Sequence, residues 1–110
     1  RDFTYMGDVV EALLLAASRP VAPGSVFNIC SGQPLKLVEV VETILDLMGH
    51  PVAVHTGCFP PRADEIWEIS GDNTAAATHL GWQPTLSFRE GMRQTIDWYQ
   101  HNRELALTLP

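Results

Sequence analysis

The loop between residues 59 and 65 carries the side chains best suited to chemistry, in the order Phe-Pro-Pro-Arg-Ala-Asp-Glu. Its two prolines restrict the backbone immediately before Arg62. The planar guanidinium of an arginine donates paired hydrogen bonds to a diphosphate, and a carboxylate such as that of Glu65 accepts both hydroxyls of a cis-diol such as ribose. The loop therefore suits a nucleoside diphosphate. A solvated arginine in a surface loop is the alternative interpretation.

The spacing of the glycines excludes the phosphate-cradling turns of the common nucleotide folds. No two glycines are closer than eight positions, so neither a Gly-x-Gly-x-x-Gly turn nor a P-loop can be written. Lys36 is the only lysine and Gly32 stands four residues before it, which excludes a Tyr-x-x-x-Lys proton-transfer pair. We therefore expect no catalytic residue and no cofactor-binding residue in this chain.

Histidine and cysteine side chains give little support for a metal or a nucleophile. His50, His55 and Cys58 lie near one another along the chain, but their spacing fits no ligand template. Neither Cys30 nor Cys58 has an evident base beside it, and a small buried thiol is the common case. We expect no metal site.

Composition and charge restrict the class of partner. A chain of 110 residues, 45% of them hydrophobic, has room for one globular domain over residues 1–110. The net charge is -6 and the seven basic residues are spread singly, whereas nucleic-acid binding needs clustered arginine and lysine. DNA and RNA are therefore excluded as expected partners.

Further features bear on the cellular location and on the extent of the protein. The longest apolar run, residues 12–17, is too short to span a membrane. Two cysteines and the lack of a leader pattern favour a cytoplasmic protein. Arg1 to Met6 has the pattern of the middle of a strand, so we expect a piece of a longer protein.

Four helices are predicted to position these groups. The first begins with a capping box formed by Asp8 and Glu11 and ends before Pro20. The second covers 37–48 and starts at a poor cap, Lys36. A third runs from a cap at residue 72 or 73 to residue 80, and a fourth follows a Ser-x-x-Glu box at residues 87–90.

Short strands are predicted between these helices. Apolar and β-branched runs mark four of them, at residues 1–6, 25–30, 52–55 and 66–69. Alternation of strands and helices predicts an α/β fold, here a small lobe with short strands and about four helices. The sheet is too small for a complete nucleotide-binding fold.

The order of the motifs resembles the C-terminal, substrate-binding lobe of extended short-chain dehydrogenase/reductases that modify nucleotide sugars. The resemblance runs from residue 1 to about residue 102. It rests on Arg-Asp-Phe-Thr-Tyr at 1–5 with Asp8, Phe-Asn-Ile-Cys-Ser-Gly at 27–32, Pro-Arg-Ala-Asp-Glu at 61–65, Gly-Asp-Asn-Thr at 71–74, Leu-Gly-Trp-Gln-Pro at 80–84 and Trp-Tyr at 98–99.

The resemblance implies roles for four residues. Arg62 is similar to the arginine that grips the sugar-nucleotide diphosphate, Arg1 to a second arginine there, and Glu65 to the carboxylate on the ribose. Asp64 replaces a usual glycine, which alters the loop backbone or moves the carboxylate role to Asp64. Cys30 also replaces a usual glycine.

The resemblance also implies a division of labour within a longer enzyme. The parent is expected to be an NAD- or NADP-dependent epimerase, dehydratase or 4-ketoreductase, with its catalytic set on an absent N-terminal dinucleotide-binding domain. This part would bind the nucleotide-diphosphate sugar, bind no cofactor and be inactive alone. Its exposed apolar face would favour homo-oligomers. The alternative is a packing or interaction module of the same origin that no longer binds sugar nucleotides.

Overall fold

The computed structural model describes residues 1–108, which form five helices. They are α1 (Met6–Ser18), α2 (Leu37–Met48), α3 (Thr74–Leu80), α4 (Phe88–His101) and α5 (Arg103–Thr108). Residues 1–108 contain no β-strand, so the predicted α/β class is wrong for this chain.

The segments predicted as strands have no neighbouring strand with which to form a ladder of backbone hydrogen bonds in residues 1–108. Arg1 and Leu35 exchange one reciprocal pair of backbone hydrogen bonds, of 2.7 and 2.9 Å, and the pairing stops there. The segment at 25–30 is held by side-chain amides instead: Asn28 donates to the Asp72 carbonyl and Asn73 to the Cys30 carbonyl. β-Branched residues favour extended backbone, but a strand exists only when a neighbour supplies matching donors and acceptors.

Helix α1 starts three residues earlier than predicted, which removes the capping box. Tyr5 is the N-cap residue, and its side chain makes no capping hydrogen bond. Asp8 therefore lies inside the first turn, where it is 3% exposed. Its Oδ1 accepts a hydrogen bond from the Thr85 hydroxyl at 2.5 Å, so the carboxylate serves a tertiary contact rather than a local cap.

The other predicted helix ends are confirmed. Ser87 and Glu90 form the reciprocal capping box that begins α4. Gly49 and Gly81 end α2 and α3 in left-handed backbone, a conformation that costs glycine little. The Lys36 side chain caps nothing, and Glu39 instead accepts from the Lys36 backbone N–H. Helix α5 was not predicted.

The core lies between α1 and α3. Ala12, Ala76, Leu80 and Trp82 form its buried centre, and apolar side chains of the 21–29 segment pack against it. The small side chains of Ala12 and Ala76 allow the two helices to approach closely. Helix α2 packs on α4, where Arg89 and Asp46 form an ion pair. None of the described helices is long and apolar enough to cross a membrane.

Candidate functional site

The carboxylate of Asp2 joins three separate segments and thereby positions the residue before it. Its Oδ1 accepts from the Ser31 backbone N–H at 2.8 Å and from the Ser31 hydroxyl at 2.6 Å. Its Oδ2 accepts from the N–H groups of Gly32, at 2.9 Å, and Gly71, at 3.2 Å. Burial raises the pKa of Asp2, but these hydrogen bonds to its charged form outweigh burial and leave the pKa below its ordinary value.

Arg1 is held through both its backbone and its side chain. The reciprocal backbone pair with Leu35 fixes the main chain. One guanidinium nitrogen lies 3.0 Å from Oε1 of Glu65, and another donates to the carbonyl oxygen of Ile66. The structure therefore brings together two of the four residues predicted to bind substrate.

A tight turn carries the other two predicted residues. The Glu65 N–H donates to the Arg62 carbonyl at 3.2 Å, which places Ala63 and Asp64 at the tip and Arg62 and Glu65 at the base. The side chains of Arg62 and Asp64 are exposed and make no hydrogen bond or ion pair with residues 1–108. Within the described part of the chain, Arg62 thus forms no structural ion pair.

The charges at this site divide into one neutral pair and two free groups. Arg1 and Glu65 neutralise each other, whereas Arg62 and Asp64 face solvent. The arrangement therefore offers an uncommitted guanidinium and an uncommitted carboxylate on one turn, beside a second guanidinium that is already oriented.

Neighbouring features do not extend this group. A cavity of about 200 Å³ lies between the N-terminal segment and α4, but none of the four predicted residues lines it. Cys58 and His55 contact each other only through the thiol and a backbone carbonyl, at 3.5 Å. Over residues 1–108, no three side chains of the metal-ligating types come together.

Sequence reasoning missed the positioning function of Asp2. In the sequence Asp2 is only one member of the Arg-Asp-Phe-Thr-Tyr motif, yet its carboxylate holds the backbone of two distant segments beside Arg1. The available signal was its place directly after a candidate ligand arginine. The four hydrogen bonds that the Asp2 carboxylate accepts hold the segments beside Arg1 in place.

Comparison with known proteins gives matches that cover nearly the whole chain. No family model matches the chain. The UDP-glucose 4-epimerase of Mycolicibacterium smegmatis is 30% identical over 104 residues, which are 94% of this chain and 32% of that protein. The structure of UDP-glucose 4-epimerase from Thermotoga maritima with UDP-glucose superposes with a TM-score of 0.80 at 30% identity, over 94% of this chain and 32% of that one.

A third similar structure contains both a dinucleotide cofactor and a nucleotide. The Bordetella bronchiseptica enzyme WbmF, in complex with NAD+ and UDP, gives a TM-score of 0.77 at 28% identity and covers 96% of this chain and 31% of that one. In each case the match falls on the C-terminal part of the enzyme. These matches support the C-terminal part of an extended short-chain dehydrogenase/reductase.

The chain spans about a third of the length of the relatives it matches. Cys30 lies in the motif at residues 27–32, and its thiol is free and buried. Burial, and then the nearby charge of Asp2, raise the pKa of the Cys30 thiol, which favours the protonated form.

Proposed function

We propose that this chain is the nucleotide-sugar-binding C-terminal part of an NAD(P)-dependent epimerase, dehydratase or 4-ketoreductase, and that it is not catalytic alone. The observation that carries the proposal is the match over 94% of the chain to an epimerase structure that holds UDP-glucose. Within that match, the turn at 62–65 and Arg1 come together through the ion pair with Glu65.

The two arginines supply the electrostatic part of this function. A diphosphate brings two negative charges, and arginine binds phosphate oxygens through paired N–H groups. Arg62 has no partner among residues 1–108, so it binds a phosphate without first breaking a contact. Arg1 is already oriented by its neighbours, which reduces the entropy lost on binding.

The dinucleotide cofactor belongs to another part of the enzyme in this proposal. The glycines that have left-handed backbone are at least eight positions apart along the chain. Each of them stands alone, either at the end of a helix or in a loop. They do not form the clustered glycine turn that cradles a pyrophosphate. The hydride chemistry of NAD or NADP is therefore assigned to an N-terminal domain. Separately, we expect the enzyme in the cytoplasm, because the sequence has only two cysteines.

The outer face of α1 supports the proposal of a second domain. Leu13 and Leu14 are each 65% exposed, and Met6 and Val10 lie on the same apolar face. A large exposed apolar patch is typical of a contact surface. Since the relatives are about three times as long as this chain, we assign this face to the contact with the dinucleotide-binding domain.

Binding of UDP tests the proposed function. The 110-residue chain, alone and joined to the N-terminal two-thirds of the M. smegmatis epimerase, is titrated with UDP while NMR signals of residues 59–66 are followed. We expect those signals to shift, and Arg62→Ala to weaken binding about tenfold or more because a charge-assisted contact to phosphate is lost. Arg93→Ala, at an exposed arginine on α4, is the matched control.

Two outcomes would contradict the proposal. If UDP, GDP and dTDP all leave these signals unmoved in both proteins, the chain is the packing or interaction module instead. If the 110-residue chain alone turned over a nucleotide sugar, the assignment of catalysis to another domain would be wrong.

A further inference from the structure

An apolar cavity of about 200 Å³ lies where the N-terminal segment meets α4. Most of its walls are aromatic or aliphatic side chains, those of Phe3, Tyr5, Met6, Leu86, Phe88 and Met92. The hydroxyl groups of Ser87 and Thr95 also line it, but each already donates a hydrogen bond, to the Glu90 carboxylate and to the Gly91 carbonyl. The cavity therefore suits an apolar group and offers a polar one little.

Close packing behind the walls holds the cavity in shape. A Cβ atom added at Gly7 of α1 would lie 2.6 Å from Cε1 of Tyr5, and one added at Gly91 of α4 would lie 3.0 Å from the Tyr5 Cβ. The side chain of Tyr5 is thus packed against a glycine on each helix. On the other wall, the rings of Phe3 and Phe88 have their centroids 5.6 Å apart. The cavity is therefore a fixed feature of the fold.

The volume of the cavity matches one large apolar side chain. An apolar cavity of about 150 Å³ stays dry and admits benzene or xenon, so a cavity of about 200 Å³ has room for the side chain of a leucine or a phenylalanine. Small-molecule sites are larger, roughly 300–1,000 Å³. A protein side chain is therefore a better match than a cofactor or a substrate.

The position of the cavity indicates which part of the enzyme supplies that side chain. Met6 lines the cavity, is 69% exposed and begins the apolar face of α1 that we assign to the dinucleotide-binding domain. Phe3 and Tyr5 follow Arg1 within four positions. Because this chain matches only the C-terminal third of its relatives, the remaining domain would join it directly beside these walls.

We propose that this cavity is a socket for one apolar side chain of the dinucleotide-binding domain. The inference rests on the proposed function, because it requires that second domain. The flat face of α1 supplies contact area, whereas a side chain enclosed on several sides fixes how the two domains are oriented. The occupant is aliphatic or aromatic, since a polar side chain would lose its hydrogen bonds to water there.

Xenon tests whether the cavity is open in the chain alone and filled in the longer protein. Xenon enters apolar cavities of about this size, and methyl NMR signals of methionine report its entry. We expect xenon to shift the Met6 and Met92 signals in the 110-residue chain. The shifts should be lost in the chain joined to the N-terminal two-thirds of the M. smegmatis epimerase. Met48 lines a separate groove and should respond equally in both proteins.

Filling the cavity from α4 tests the same contact in the joined protein. We expect nuclear Overhauser contacts between the Met92 methyl group and methyl groups of the N-terminal part. Thr95→Phe places a ring in the cavity and should remove these contacts. Gln94→Phe adds the same ring at an exposed position that does not line the cavity, and should keep them. Thr95→Leu is the smaller change that serves if Thr95→Phe does not fold.

Three results would overturn the socket. Equal xenon shifts in both proteins would mean that no side chain fills the cavity, and no shift in the chain alone would mean that the cavity is closed in solution. Met92 contacts that survive both substitutions at Thr95 would place the domain contact elsewhere.

A UDP titration of the same joined protein separates this proposal from the proposed function. If UDP binds while the xenon and Met92 results are negative, the socket alone is wrong. If UDP does not bind but the Met92 contacts are present and sensitive to Thr95→Phe, the socket is supported and the proposed nucleotide binding is wrong.

Discussion

The indole N–H of Trp82 donates a hydrogen bond to the backbone carbonyl of Asp8 across 2.8 Å. This contact joins Trp82, the second residue after α3, to the first turn of α1. Trp82 is almost completely buried, so its ring fills the core while its one polar atom is satisfied. The two helices that form the core are thus joined by packing and by a specific hydrogen bond.

Replacement of Trp82 by phenylalanine should destabilise the chain. The smaller ring leaves a cavity and removes the donor to the Asp8 carbonyl, so the free energy of unfolding should fall by about 2 kcal/mol or more. Denaturant unfolding followed by circular dichroism measures the change. Trp98→Phe is the control, because Trp98 is partly exposed on α4, and it should cost much less. Equal losses would show that Trp82 is not the centre of the core.

Stability should fall in acid because of Asp2. The pKa of Asp2 is lower in the folded chain than its ordinary value of 3.8, so its contribution is present above pH 3.8. That contribution is lost as the pH falls below 3.8 and through the lowered pKa, since protonation removes the negative charge that strengthens four hydrogen bonds.

The pH dependence of unfolding checks this assignment. Asp2→Asn should lower the free energy of unfolding at pH 7 by about 2 kcal/mol and flatten its decline in acid. Asp97→Asn replaces an exposed aspartate of α4 and should leave the profile unchanged. A profile equally steep in Asp2→Asn would show that other groups control acid unfolding.

Gly71 should not tolerate a side chain while Cys30 is present. A Cβ at Gly71 would lie 2.4 Å from the Cys30 sulfur and 2.8 Å from its Cβ, both within repulsive distance. We expect Gly71→Ala to cost about 1–3 kcal/mol, measured by thermal or denaturant unfolding. Cys30→Gly removes both clashing atoms, so alanine at Gly71 should cost clearly less in that background. Additive effects of the two substitutions would contradict the clash.

The apolar face of α1 should cause the isolated chain to associate. Multi-angle light scattering at increasing concentration should show species larger than the 12.2 kDa chain. Leu13→Glu combined with Leu14→Glu should return the chain to a monomer because charge replaces the exposed apolar surface. Leu107→Glu, at an exposed leucine of α5, is the control. A monomeric unmodified chain would argue against a contact surface on α1.

Local patterns predicted the parts of the structure that depend on neighbours in sequence. The Ser87 capping box, the stop of α2 at Gly49 and the stop of α3 at Gly81 were all predicted, because each depends on residues within one helical turn. The order of the motifs along the chain also predicted the resemblance to extended short-chain dehydrogenase/reductases. The hydrogen bond from Trp82 to the Asp8 carbonyl could not be predicted, because the two residues are 74 positions apart in the sequence.

Tertiary structure decided the rest. The sequence identified Arg1, Arg62, Asp64 and Glu65 as candidates, whereas only the fold paired Arg1 with Glu65 across 64 positions and left Arg62 and Asp64 exposed. It likewise moved Asp8 from a cap to a buried contact and left the predicted strands without a ladder. Sequence patterns report local preference, but hydrogen bonds and ion pairs depend on groups that distant segments bring within about 3 Å.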